Sequence, residues 1–161
     1  MATTHPTPQE IEVRQMLGML YGNDLEINPV DPLATGADSG HAAAVFIDDN
    51  GTPVSACVCD MKFAAFAGAA LTKIPLGGAE DAAESGKLTE NMLGNLYEVM
   101  NICSRLFMDS SSPHLKLDKL YASISDLPDN ALALVNAITG RLDLKVNIPG
   151  YGEGHLSFLS T

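Results

Sequence analysis

Apolar residues recur every three or four positions in the longer stretches of this chain and every second position in the shorter ones, and these two periods divide it into helices and strands. Val13, Met16, Leu17 and Leu20 make the first helical stripe. It is entered through Thr7-Pro8-Gln9-Glu10, which reads as a capping box with proline at the first helical position, and it stops near Gly22. Asn28 to Gly40 has no apolar period and is rich in Pro, Asp and Gly, so a loop is expected. His41 to Asp48 is apolar, and beyond Asp49-Asn50-Gly51 the residues Val54, Ala56 and Val58 alternate with Ser55, Cys57 and Cys59. Asn-Gly between two such runs predicts a β-hairpin.

Asp60 is placed to cap a second helix from Met61 through Leu71, which must end near Ile74-Pro75 and whose alanines permit close packing. Gly77-Gly78 marks a flexible connector. Lys87 to Met108 is the longest periodic segment, with Leu88, Met92, Leu96, Val99, Cys103 and Leu106 as one buried stripe, broken only by Gly94 and closed by Asp109-Ser110-Ser111-Ser112-Pro113. Leu115 and Leu117 suggest a short strand, and Pro128 to Ile138 a brief helix closing at Gly140. Leu142, Leu144, Val146 and Ile148 alternate with polar neighbours, and a Gly-rich turn from Pro149 to Gly154 leads into Leu156 and Phe158 as a half-buried terminal hairpin. These elements predict an α+β fold, an antiparallel sheet covered on one face by two long helices, Met61–Lys73 and Lys87–Met108. The N-terminal helix and loop, residues 1–39, are expected to belong to the same domain as residues 40–161.

The 161 residues are 46% apolar and 18% charged, without an apolar run long enough to cross a bilayer, so a globular, soluble protein is expected. The start, Met1-Ala2-Thr3-Thr4-His5-Pro6, lacks the basic flank and apolar stretch of a secretory signal, and three cysteines are an odd number for a disulfide framework. Cytoplasm is the expected compartment. Twenty acidic and nine basic side chains leave a net charge of −11, which repels phosphate backbones and anionic lipid head groups. Nucleic acid and membrane are therefore not expected partners.

At about 100° per residue the long helix sets Asn91, Gly94, Glu98, Asn101 and Arg105 on one stripe, opposite the apolar one. That stripe faces solvent or a partner. It offers a carboxylate three residues before a carboxamide, with a small residue one turn earlier that leaves the backbone approachable; the plain alternative is a solvated face with a loose Glu98/Arg105 attraction. Other residues suggest less. Cys57 and Cys59 share a strand face, but a closed zinc site takes four ligands and Cys103 lies in the apolar stripe, so buried structural thiols are expected. His5, His41, His114 and His155 lack metal-ligand spacing. Gly77-Gly78 and the glycines of residues 150–154 are too short and wrongly placed for a phosphate loop and are expected as turns.

The order hairpin, alanine-rich helix, Gly-rich connector, long helix with Leu96-Tyr97-Glu98-Val99-Met100-Asn101-Ile102, strand, terminal hairpin resembles the CheC/CheX/FliY family of chemotaxis phosphatases, in particular its single-site CheX-like members. The resemblance covers roughly residues 40 to 160. That family pairs Glu with Asn at E-x-x-N on a long helix, and Glu98-Val99-Met100-Asn101 matches both positions. Where the family usually has Asp or Ser, four residues ahead of the Glu, this sequence has Gly94; Pro113 comes earlier, and Pro128 somewhat later, than the family's downstream proline.

The resemblance implies a CheX-like fold and a phosphatase of response-regulator receiver domains, with Glu98 and Asn101 as the catalytic pair. Asn101 would orient the attacking water and Glu98 would engage the receiver's lysine. Asn91, Gly94 and Arg105 would line the docking face, and the receiver would bring its own Mg²⁺, so no metal or cofactor is expected of this chain. A second function keeps fold and docking face but drops catalysis, as a binding or scaffold module of a signalling complex; Gly94 favours it. A third is a dimerising domain of unrelated function that pairs two copies at an exposed sheet edge.

Overall fold

Six antiparallel strands make one sheet among the residues that the computed structural model describes, 5–136 and 140–160. The chain runs α1 (Glu10–Tyr21), β1 (Glu26–Pro29), β2 (Ala42–Ile47), β3 (Pro53–Cys59), α2 (Met61–Ala70), α3 (Leu76–Ser85), α4 (Glu90–Cys103), a 3-10 turn (Ser104–Phe107), β4 (Lys116–Tyr121), a shorter 3-10 turn (Ile124–Asp126), α5 (Asp129–Asn136), β5 (Gly140–Ile148) and β6 (Gly152–Ser160). Strand order is β1-β5-β6-β3-β2-β4, so the two hairpins lie side by side, joined where β3 pairs with β6, and β1 and β4 are the edges.

Both faces of the sheet are covered. On one, Ala42, Ala44 and Phe46 of β2, Cys57 and Cys59 of β3, Leu144, Val146 and Ile148 of β5, and Leu156 and Phe158 of β6 join Phe63, Ala67, Met92, Leu96, Val99, Cys103, Val13 and Leu17 from the helices in one core. On the other, Ala43, Val45, Ala56, Val58 and Leu159 meet Ile124, Leu127, Ala131, Leu134 and Val135. The antiparallel α+β architecture is therefore as expected, with α2 and α4 on the first face, but the sheet is not covered on that face alone. The unbroken apolar run of β2 is the sign of it, since a strand buried on both sides needs no polar alternate. In β3, Cys57 and Cys59 face the larger core, buried as expected of structural thiols, and Ala56 and Val58 face the smaller one.

Several local expectations change for identifiable reasons. α1 begins at Glu10 with Gln9 as its cap: Gln9 N–H donates to Glu12 Oε1 at 3.0 Å. Thr7 instead shares a 2.7 Å hydrogen bond with Ser160. A strand, β1, takes the two residues before the expected loop and its first two, Asn28 and Pro29; it pairs with β5 through Ile27↔Val146 and is too short to carry a period of its own. Gly77-Gly78 lies within α3 rather than in a flexible connector, and Ala79 and Ala82 are that helix's buried residues. α5 forms where a brief helix was expected, though the expected end at Ile138 lies outside the described residues. Asp143, an outward position by alternation, is 8% exposed: the segment after β1 lies over it, with Leu33 N–H donating to its Oδ1 at 2.9 Å, while Arg141 grips both oxygens at 2.7 Å and Ser157 Oγ donates at 2.5 Å.

Candidate functional site

α4 is shorter than the periodic segment that predicts it. Thr89 caps it, its side chain accepting from Met92 N–H at 3.2 Å, so Lys87 and Leu88 precede the helix. At the other end Ser104 Oγ donates to the Asn101 carbonyl at 2.6 Å, and the chain tightens there into the 3-10 turn that carries Arg105. Asn101 therefore sits in the last α-helical turn, and Arg105 on a tighter spiral beyond it.

Met92, Leu96, Val99, Met100 and Cys103 are the buried residues of α4. Its exposed residues are Glu90, Asn91, Gly94, Tyr97, Glu98 and Asn101, a single strip. Of the five residues singled out in the sequence, Asn91, Gly94, Glu98 and Asn101 thus share one open helix face, and Arg105 continues it on the 3-10 turn. A β-carbon at Gly94 would meet nothing within 4 Å. Glu98 and Arg105 form no ion pair, and the Glu98 carboxylate and Asn101 carboxamide make no side-chain hydrogen bond among the described residues. Both groups are free to engage another molecule.

The helix is held rigidly behind that face. Asn95 Nδ2 donates to the Gly68 carbonyl and to Thr72 Oγ1, both at 2.8 Å, tying α4 to α2. Two tyrosine hydroxyls hold α2 and its exit, Tyr21 donating to the Ala67 carbonyl at 2.9 Å and Tyr151 to the Ile74 carbonyl at 2.6 Å. Burial pushes the Tyr21 hydroxyl far up from its ordinary range, as a committed donor requires. Asn95 was not singled out in the sequence, since a polar residue between an apolar and a polar stripe carries no pattern of its own. Tyr97, 39% exposed, lies on the same open face.

Beside Asn101 lies an open groove of about 300 Å³ lined by Asn101, Ile102, Ser104, Arg105, Met108, His114, Leu115 and Lys116. The loop beyond it is closed by Asp109, whose carboxyl accepts from Ser111 N–H at 2.9 Å, Ser111 Oγ at 2.9 Å and Ser112 N–H at 2.8 Å; these bonds hold it below the usual carboxylate range. A larger groove, about 600 Å³, lies on α1; Arg14, the charged residue among the described residues that line it, is already bonded to Glu10 and to the Ile27 carbonyl.

The other candidates are structural. Cys57, Cys59 and Cys103 are free and fully buried, and burial drives the thiols of Cys57 and Cys59 well up, away from the reactive thiolate. Each histidine has a local partner: His5 the Phe107 carbonyl, His41 the Ala34 carbonyl, His114 Asp49 and His155 Asp60. Among the described residues no three His, Cys, Asp or Glu side chains are grouped to hold a metal ion, and no helix is long and apolar enough to cross a membrane.

No protein-family model matches the chain, and no curated protein matches it. Solved structures do. A chain of the CheX-CheY-BeF3-Mg+2 complex from Borrelia burgdorferi superposes with a TM-score of 0.55 at 14% identity, over 94% of this chain and 97% of that one. The fold is that of CheX. A chain of the FliM-SpeE complex from H. pylori gives a TM-score of 0.59 at 10% identity, over 92% of this chain and 79% of that one. The FliM middle domain from the same organism gives 0.54 at 11%, over 93% and 83%. The fold expected from the resemblance is thus the one observed, and it is one that CheX and FliM share.

Proposed function

We infer that this chain is a CheX-like phosphatase that accelerates hydrolysis of the aspartyl phosphate on a response-regulator receiver domain. One observation carries the reading: Glu98 and Asn101 stand one turn apart, both exposed and both without side-chain partners among the described residues, on the open face of a helix held from behind by Asn95. The likeness of the whole chain to a chain found in complex with CheY supports it. In this reading a water held by the Asn101 carboxamide attacks phosphorus in line, the acyl P–O bond breaks, and the receiver's aspartate leaves as its carboxylate. Inorganic phosphate departs as the dihydrogen ion, carrying the water's oxygen and both of its protons. Glu98 pairs with the receiver's lysine and fixes the docked geometry. Orientation is most of what such a reaction needs, since the partner's Mg²⁺ offsets the phosphoryl charge and no metal ligand is asked of this chain. The test is the decay of phosphorylated receivers from the same genome, with Mg²⁺, with and without this protein. If none loses its phosphate faster, the chain is no phosphatase.

A second reading is a binding module on the same face, without catalysis. Gly94 favours it, since that position offers no side chain toward the partner, and so does the likeness to FliM. Receivers that bind without faster dephosphorylation would decide for it.

A further inference from the structure

The surface around the end of α4 is patterned by charge. Among the described residues the groove beside Asn101 is lined by Arg105, Lys116 and His114 and by no carboxylate. It shares His114 with a neighbouring groove of about 250 Å³ lined by Asp48 and Asp49, and Met108 with another of about 240 Å³ lined by Glu12 and Asp109. A cationic slot thus lies between two acidic ones, on a protein whose net charge is −11. The cations come from separate elements: Arg105 from the 3-10 turn after α4, Lys116 from the first residue of the edge strand β4, set by its pairing with Ile47. Neither Arg105 nor Lys116 forms an ion pair among the described residues, whereas Arg14 and Arg141 are both engaged by carboxylates. His114 is held by Asp49 at 3.0 Å.

We propose that Arg105 and Lys116 form the anion-facing wall of the docking site, receiving the acidic surface that surrounds the partner's phosphorylated aspartate. The proposal rests on the reading of this chain as a partner of phosphorylated receivers and adds to it a pair of residues that set the approach. Magnesium is held in proteins mainly by carboxylates together with substrate phosphates, so the surface bearing a Mg²⁺-bound aspartyl phosphate is acidic by construction. A chain at −11 repels such a surface almost everywhere. The cationic slot lets it approach at Asn101, and the flanking Asp48, Asp49, Glu12 and Asp109 disfavour a docking shifted to either side. The wall orients the partner; it does no chemistry.

The experiment measures binding of receiver domains from the same genome, each charged with beryllofluoride and Mg²⁺, to the full chain and to Arg105→Gln/Lys116→Gln. The expected result is affinity lower by about tenfold in the double variant, with a flatter dependence on salt. Asn101→Ala, which removes a group from the same groove without changing charge, should keep the salt dependence of the unaltered protein. Both arginine and lysine are exposed, so thermal unfolding that matches the unaltered chain shows that the fold is kept; Arg105→Glu, which changes the charge by the same amount at one site, gives a second loss of similar size. Equal binding by the double variant overturns the proposal and leaves the phosphatase reading standing. A receiver that binds, needs the two cations and is not dephosphorylated supports the wall and refutes the phosphatase. If no charged receiver binds the unaltered chain, both fall.

Discussion

Gly68 of α2 lies so close to Met92 of α4 that a β-carbon on Gly68 would come within 2.7 Å of the Met92 carbonyl oxygen. A backbone carbonyl does not swing aside as a side-chain tip does, so Gly68→Ala must push the two helices apart. We expect a net loss of about 1–3 kcal/mol, after allowing for the roughly 1 kcal/mol that alanine gains in a helix. Gly94 has open space around it, and Gly94→Ala should stabilise by about 0.5–1 kcal/mol. Urea unfolding of the two variants checks this; shifts of the same sign would contradict the described helix crossing.

Leu96 is fully buried and Glu98, two residues on, is exposed and has no side-chain partner among the described residues. Leu96→Ala should therefore cost about 2–5 kcal/mol, and Glu98→Ala well under about 1 kcal/mol. Comparable losses in thermal unfolding would mean that the helix presents a different face.

Burial works against ionising Asp143, yet Arg141, Ser157 and the Leu33 N–H together hold its carboxyl below the usual carboxylate value. A carboxyl whose folded pKa lies below its unfolded one, ordinarily about 3.9, adds stability that is complete above that unfolded value. The contribution fades as pH falls through the lower, folded value. Asp143→Asn should cost about 2–4 kcal/mol at neutral pH, because Arg141 loses its carboxylate partner. Its unfolding midpoint should also change less than that of the unaltered protein between neutral pH and pH about 3. Parallel pH profiles would show that Asp143 is not the group responsible.

If the phosphatase reading holds, Asn101→Ala should remove most of the acceleration of receiver dephosphorylation, since the lost orientation of water is worth several kcal/mol, roughly a hundredfold or more in rate. Glu98→Ala should chiefly weaken docking, and high salt should imitate it. Kinetics at saturating and at low receiver concentration separate the two; an Asn101→Ala protein as fast as the unaltered one would rule out the assigned role of the carboxamide.

The parts of the fold legible in the sequence are those whose burial pattern is local. The stripe Met92, Leu96, Val99, Cys103 and the alternation Leu144, Val146, Ile148 each state a face, and both faces are as read. β1 was not legible, because four residues that include a proline gain their strand conformation from β5, far along the chain. α3 was hidden by Gly77-Gly78, which in isolation favours a turn. The second covered face could be seen only by taking the polar-free run of β2 literally. At the site, Glu98 and Asn101 share one helix and so could be read from spacing. Asn95 acts through a partner on α2, and Lys116 reaches the groove only because β4 pairs with β2, so neither relation is written in local sequence.

The position of β6 in the sheet governs when the protein can become safe from association. β2 and β3 can pair as soon as residue 59 has left the ribosome, but the other edge of β3, with Ala56, Cys57 and Val58, has its partner only in Leu159, Phe158 and Ser157. A ribosome adding roughly 5–20 residues per second leaves that apolar edge bare for several seconds or more on every nascent chain. During that interval the hairpin is a template for a neighbouring chain on the same messenger. The sheet closes this edge only when β6 pairs with it.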